Sequence, residues 1–309
     1  MFNRHWATVL GTFLVLALVP LLGSSSRPQT VDKDWGMLNS VAGPDNSPAP
    51  QGTTQKGPKN TPKAGATADE RILLDEGFDG PGLDPAIWNT CHWWQNAGCT
   101  IGSNQELEWY LPQQVSVSDG ALQLTADRRE VSGSDGKSYP FASGMVTTGP
   151  PAYETPAKLA FTYGKVEVRF KIPTGQGLWP AIWLLPASEE SVPEIDMLEI
   201  LGHDAGTLRM HLHPKDRSVA SIGKKYQLPD GYTLGGGWHT IALDWSPGKL
   251  VYLLDGRRVW QLVNRVVPDE PMYLVMNLAV GGNYPGPPNA ETKFPATLSI
   301  DHVRIRSLG

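Results

Sequence analysis

The feature that most limits what this chain can fold into is a period-two alternation of apolar and charged residues. Across residues 165–172, Val166, Val168, Phe170 and Ile172 alternate with Lys165, Glu167, Arg169 and Lys171. Such a segment has one face for a core and one for water only if it is extended. Residues 121–125 alternate in the same way. Residues 250–254 and 257–260 flank Asp255-Gly256, a pair suited to the φ > 0 positions of a tight hairpin turn. Short strands separated by Gly and Pro, with no long helical period and no internal repeat, predict an all-β fold, a two-sheet antiparallel β-sandwich.

The amino-terminal part follows another logic. Arg4 and His5 precede an apolar run over residues 6–22, and Gly23, Ser24, Ser25 and Ser26 follow. This is the layout of a secretory signal peptide over residues 1–23, with an uncleaved membrane anchor as the alternative. Pro20 and the short flanks favour cleavage, and hence a secreted, extracellular protein. Residues 24–70 are rich in Pro, Gly, Ser and Thr and nearly lack large apolar side chains. They bury too little surface to offset ordering entropy and read as a disordered linker. One domain is then expected over residues 71–309.

The net charge of −5 leaves no electrostatic footprint for nucleic acid and suits a neutral or weakly charged substrate. Nothing in the sequence points to a protein partner, and a monomer is expected. Cys91 and Cys99 are the only cysteines; close together in an exported chain, they are expected to form a disulfide.

The chemistry concentrates in Glu194-Ile195-Asp196-Met197-Leu198-Glu199. Three carboxylates inside an otherwise apolar strand cost desolvation and mutual repulsion, which a purely structural strand avoids. In a regular strand Glu194 and Asp196 share a face, and Glu199 points the other way. One extra residue in a β-bulge near Met197 and Leu198 returns Glu199 to the face of the other two. Four effective steps then separate the glutamate backbones by about 13 Å. Side chains leaning inward reach the ~5–5.5 Å carboxyl separation of a retaining glycosidase.

This segment resembles the bulged catalytic signature of glycoside hydrolase family 16, in its laminarinase and β-glucanase branch. The likeness extends through Phe78-Asp79-Gly80, Asn104-Gln105-Glu106-Leu107, Tyr163-Gly164-Lys165-Val166-Glu167 and Gly175-Gln176-Gly177-Leu178-Trp179-Pro180-Ala181-Ile182-Trp183. It continues through Asn277-Leu278-Ala279-Val280-Gly281-Gly282 to Asp301-His302-Val303-Arg304-Ile305. It implies a concanavalin A-like jelly roll with an open concave cleft over a catalytic domain at residues 71–309. Implied too is an endo-acting, retaining hydrolase of β-1,3- or mixed β-1,3-1,4-linked glucan, needing no cofactor for its chemistry. Glu194 would be the nucleophile, Glu199 the acid then base, and Asp196 the residue assisting the nucleophile.

The same resemblance nominates Trp179 and Trp183 as sugar platforms, extended by Trp93, Trp94, Trp109 or Tyr110; each is a core candidate as well. Asn104 and Glu106 are expected to line the sugar-binding cleft, or else to hydrogen-bond within a loop. His211 and His213 share one strand face, and His213 is the one expected to touch sugar, a structural histidine being the alternative. Zinc would need a third ligand that the spacing does not show. Asp301 stands where relatives hold a structural calcium, a solvent-facing aspartate being the alternative. Laminarin-cutting relatives carry an arginine shortly before a Ser-Gly; here Tyr139-Pro140-Phe141-Ala142 precedes Ser143-Gly144. The Gly281–Gly286 loop still resembles glucanases. A galactan or bacterial exopolysaccharide is the second substrate reading, transglycosylation a second outcome of the same intermediate, and a non-catalytic carbohydrate-binding protein the third.

Overall fold

A computed structural model describes residues 71–91, 99–188 and 190–308. The signal and linker segments read over residues 1–70, and Trp93 and Trp94, lie outside them. In chain order the strands begin with β1 (Arg71–Glu76), β2 (Glu108–Tyr110), β3 (Val115–Ser118), β4 (Ala121–Ala126), β5 (Val131–Ser132) and β6 (Ser138–Tyr139). There follow β7 (Phe141–Ser143), β8 (Met145–Thr147), β9 (Gly164–Lys171), β10 (Leu178–Pro186), β11 (Glu194–Glu199) and β12 (Thr207–His213). The last six are β13 (Ile222–Gln227), β14 (His239–Ser246), β15 (Lys249–Leu254), β16 (Arg257–Val263), β17 (Met272–Val280) and β18 (Ala296–Ser307).

Two antiparallel sheets carry the fold. The back sheet runs β16-β15-β14-β9-β18-β4-β3, with β1 also paired to β18; the cleft sheet runs β13-β12-β11-β10-β17-β8. Their facing sides make one core. Val166, Val168 and Phe170 of β9 are at most 1 % exposed and meet Ile195, Met197, Met210 and Met276 of the cleft sheet in a single apolar cluster. The expected hairpin is present: Asp255 and Gly256 take φ of 50° and 78° between β15 and β16. Cys91 and Cys99 form the expected disulfide, with Cα atoms 5.1 Å apart.

The inner strands of the cleft sheet show how the site is raised from this core. All nine residues of β10 and all nine of β17 are buried. Leu178, Ile182 and Leu184 enter the main core, while Trp179, Ala181 and Trp183 alternate onto the opposite face and line the cleft.

Candidate active site

The bulge predicted in β11 is where the sequence places it. Pairing with β12 runs Asp196 to His211 and then skips to Glu199 with Arg209; against β10 it skips between Leu198 and Asp196. Met197 and Leu198 are both fully buried in the core. Two successive residues thus point inward, and Glu199 turns back to the face of Glu194 and Asp196. All three acids line one cleft of about 480 Å³, together with Trp179, Trp183 and Asn104.

Two histidines from β12 stand over these acids. His211 Nδ1 lies 2.8 Å from Glu199 Oε2, and His213 Nε2 lies 3.2 Å from Asp196 Oδ2 and 3.9 Å from Glu194 Oε1. Burial, then the charge of Asp196, pushes both glutamates above the usual carboxylate range, Glu194 well above it. The hydrogen bond from His211 partly offsets the rise at Glu199. The Glu194 side chain keeps a quarter of its surface in solvent (25 %), which moderates its desolvation. His213 is raised instead, chiefly by its hydrogen bond to Asp196. Both glutamate shifts run in the direction that acid catalysis requires.

The two histidines do not share one ligand group; each meets two carboxylates of β11. Glu194, Asp196 and His213, and likewise Asp196, Glu199 and His211, bring ligand atoms within 4.8 Å of one another. The close histidine–carboxyl contacts have hydrogen-bond lengths.

The polar floor is a directed chain. Trp183 Nε1 donates to Asn277 Oδ1 (2.7 Å), Asn277 Nδ2 donates to Tyr110 Oη (3.0 Å), and that hydroxyl donates to Glu106 Oε2 (3.3 Å). Asn104 Nδ2 donates to Glu106 Oε1 (2.9 Å). Gly282 holds the loop in place: its φ is +96°, and an added Cβ would sit 2.7 Å from the Asn104 carbonyl oxygen, so a side chain there would push the Asn104 turn out of the cleft.

Three nominated residues land elsewhere. Trp109 is buried and packs on Tyr139 at 5.2 Å between ring centroids, away from the cleft lining. Its strand β2 pairs parallel with β7, and adjacent residues on a strand face opposite sides. Tyr110 is fully buried and offers only its hydroxyl to the polar floor, not a ring. The Asp301 carboxylate pairs with the Arg169 guanidinium, whose plane in turn lies 5.0 Å from the Trp238 ring. Conversely, Tyr284 was not singled out. It lines the cleft and meets Trp179 edge-on at 5.4 Å; its one signal was its place in the Gly281–Gly286 turn.

Residues 103–302 match the model of the glycosyl hydrolases family 16. The chain belongs to that family. Within it, the chain is similar to a glucan endo-1,3-beta-glucosidase of Niallia circulans, 32 % identical over 298 residues, covering 84 % of this chain and 41 % of that protein. It is also similar to the endo-1,3-1,4-beta-glycanase EglC of Rhizobium meliloti, 31 % identical over 77 % of this chain and 50 % of that protein. The chain thus spans about half the length of these curated relatives. The catalytic domain of an endo-1,3-beta-glucanase (laminarinase) from Thermotoga petrophila superposes with a TM-score of 0.69 at 33 % identity, over 78 % of this chain and 98 % of that one. The chain and that domain share the jelly roll.

Proposed function

We propose that this chain is an endo-acting, retaining glycoside hydrolase of β-1,3- or mixed β-1,3-1,4-linked glucan. The observation that carries this reading is the β11 bulge, which gathers Glu194, Asp196 and Glu199 on one face of an open, tryptophan-floored cleft. An open cleft admits a chain at any point along its length, which suits endo attack. The relatives named as endo-glucanases support the linkage.

In this mechanism Glu194 attacks the anomeric carbon while Glu199 gives its proton to the departing glycosidic oxygen. A glycosyl ester on Glu194 remains. Glu199, now a base, takes a proton from water as that water attacks the same carbon and releases Glu194. Burial and the charge of Asp196 raise both glutamates above the ordinary carboxylate range. Glu194 attacks in its ionised form, and the positive charge that develops at the anomeric carbon in the transition state is stabilised by that carboxylate. Asp196, with Oδ2 3.2 Å from His213 Nε2, stands between the two glutamates in sequence and is assigned to assist the nucleophile. Export is proposed from the amino-terminal pattern and agrees with the disulfide.

Product analysis on a panel of laminarin, mixed-linkage glucan, galactans and bacterial exopolysaccharide tests the assignment. Oligosaccharides released chiefly from the two glucans are expected. Release from a galactan or exopolysaccharide alone overturns the substrate, and binding without products from any of them overturns the activity.

A further inference from the structure

The cleft gathers negative charge without a fixed cation to balance it. Glu106, Glu194, Asp196 and Glu199 line it, and no lysine or arginine does. Asp196 is 3 % exposed, and its Oδ2 is buried without a hydrogen bond of regular geometry. The base that comes nearest to that oxygen is His213, with Nε2 at 3.2 Å. A buried carboxylate oxygen left in this state favours a cation.

The spacing of the surrounding atoms selects where a cation would sit. A tetrahedral zinc ion with nitrogen and oxygen ligands at roughly 2.0–2.1 Å holds those ligands about 3.3 Å from one another. His213 Nε2 stands 3.2 Å from Asp196 Oδ2 and 3.9 Å from Glu194 Oε1, and all three ligand atoms lie within 4.8 Å of one another. Small side-chain movements close them on one ion. The group of Asp196, Glu199 and His211 fits less well, because His211 Nδ1 is already hydrogen-bonded to Glu199 Oε2 at 2.8 Å and lies 3.9 Å from Asp196 Oδ2.

The far side of the His213 ring is prepared as well. Its Nδ1 lies 2.6 Å from Ser221 Oγ. When Nδ1 carries the proton and donates it to that hydroxyl, Nε2 turns a lone pair toward the acids. The side chains of His213 and Glu194 keep 37 % and 25 % of their surface in solvent, which leaves an ion a way in and a fourth position for water.

We propose that Glu194, Asp196 and His213 form a binding site for a divalent transition-metal ion of the zinc type, and that its occupancy inhibits hydrolysis by taking the nucleophile. One imidazole with two carboxylates suits zinc better than calcium or magnesium, which prefer oxygen ligands alone. Any proton on His213 or the acids leaves as the ion enters. The ion and the sugar then compete for the same side chains.

The binding stands on the geometry, whereas the inhibition rests on the glucanase reading, and two measurements separate them. Calorimetric titration of the whole protein with ZnCl2, without substrate, should show one strong site per chain that an excess of CaCl2 or MgCl2 does not displace. Ser221→Ala should weaken it about ten-fold, His213→Ala more, and His211→Ala should leave the affinity unchanged. X-ray absorption at the zinc edge should show one imidazole among oxygen ligands. On laminarin, ZnCl2 should raise the apparent KM with kcat unchanged, and a chelator should reverse the effect. No strong binding, or binding that survives His213→Ala at full strength, overturns the site. Loss of binding in His211→Ala brings in the second group and overturns it too. Zinc bound with hydrolysis unaffected overturns the inhibition; if no glucan is cut at all, the glucanase reading fails and the calorimetry still decides the site. If His213→Ala does not fold, the Ser221→Ala titration and the absorption spectrum decide.

Discussion

β9 and β11 are both charged strands over the same core, and they treat their charges in opposite ways. On β9 three of the four outward charges, Lys165, Glu167 and Arg169, have partners of opposite sign. Lys165 meets Glu167 at 3.6 Å and Asp244 at 3.9 Å, Arg306 meets Glu167, and Arg169 meets Asp301. On β11, Glu194, Asp196 and Glu199 face one another, and two histidines are the basic groups paired with them. Paired charges at a wet surface cost little and contribute little. Like charges gathered in a cleft cost stability and gain chemistry, since their repulsion holds a proton where a leaving group can take it. The alternation of β9 is unbroken, whereas that of β11 is broken at Met197 and Leu198, and the break is what creates the cluster.

The largest effect that follows from this contrast is on turnover. Glu194→Ala and Glu199→Ala should each lower kcat by roughly 10³-fold or more with the circular dichroism spectrum unchanged, since neither side chain belongs to the core. Near-normal turnover in either variant would remove the functional half of the comparison.

His211 sharpens it. The hydrogen bond from His211 lowers the proton affinity of Glu199, so His211→Ala should let it rise. Because Glu199 must be protonated to act as acid, loss of activity at high pH should then set in at a higher pH than in wild type. The pH profile of kcat/KM measures this, and a limb moved toward acid would contradict the role of His211.

Stability gives a smaller, oppositely signed effect. Glu194 is raised in the folded state, so its contribution is fully favourable below the unfolded-state carboxylate range and is lost as pH rises through the folded value. Glu194→Gln should therefore raise the melting temperature by about 2–4 °C at neutral pH, and the gain should vanish in acid, where wild type is protonated too. A gain independent of pH would mean that packing, not charge, is responsible.

The smallest effect belongs to β9. Lys165→Ala removes two ion pairs of 3.6 and 3.9 Å and should cost under about 1 kcal/mol in denaturant titrations, leaving kcat/KM unchanged.

Both strands were legible in the sequence because both signals are local. Alternation defines β9, and three acids out of period define the bulge of β11. The polar floor was not legible, because it depends on pairings between distant segments. Tyr110 reaches Asn277 across 167 positions, and nothing near Trp109 announces the parallel β2–β7 pair that turns its ring into the core. The partner of Asp301 was hidden for the same reason: Arg169 is 132 residues away, and the β18–β9 register shifts between Ile300 and His302. Tyr284 was missed because a turn sequence shows where the chain reverses, not which side chain its tip delivers to a neighbouring tryptophan.

The central claim is that the bulge brings Glu194 and Glu199 to one cleft, close enough for covalent attack and too close for water to stand between. Proton NMR of newly formed reducing ends, recorded on β-glucan before mutarotation, reads this directly. The account predicts that the β-anomer appears first, the product of two successive inversions through a glycosyl ester on Glu194. If the α-anomer appears first, water attacks directly from between the acids, and the geometry assigned to β11 does not describe the working enzyme.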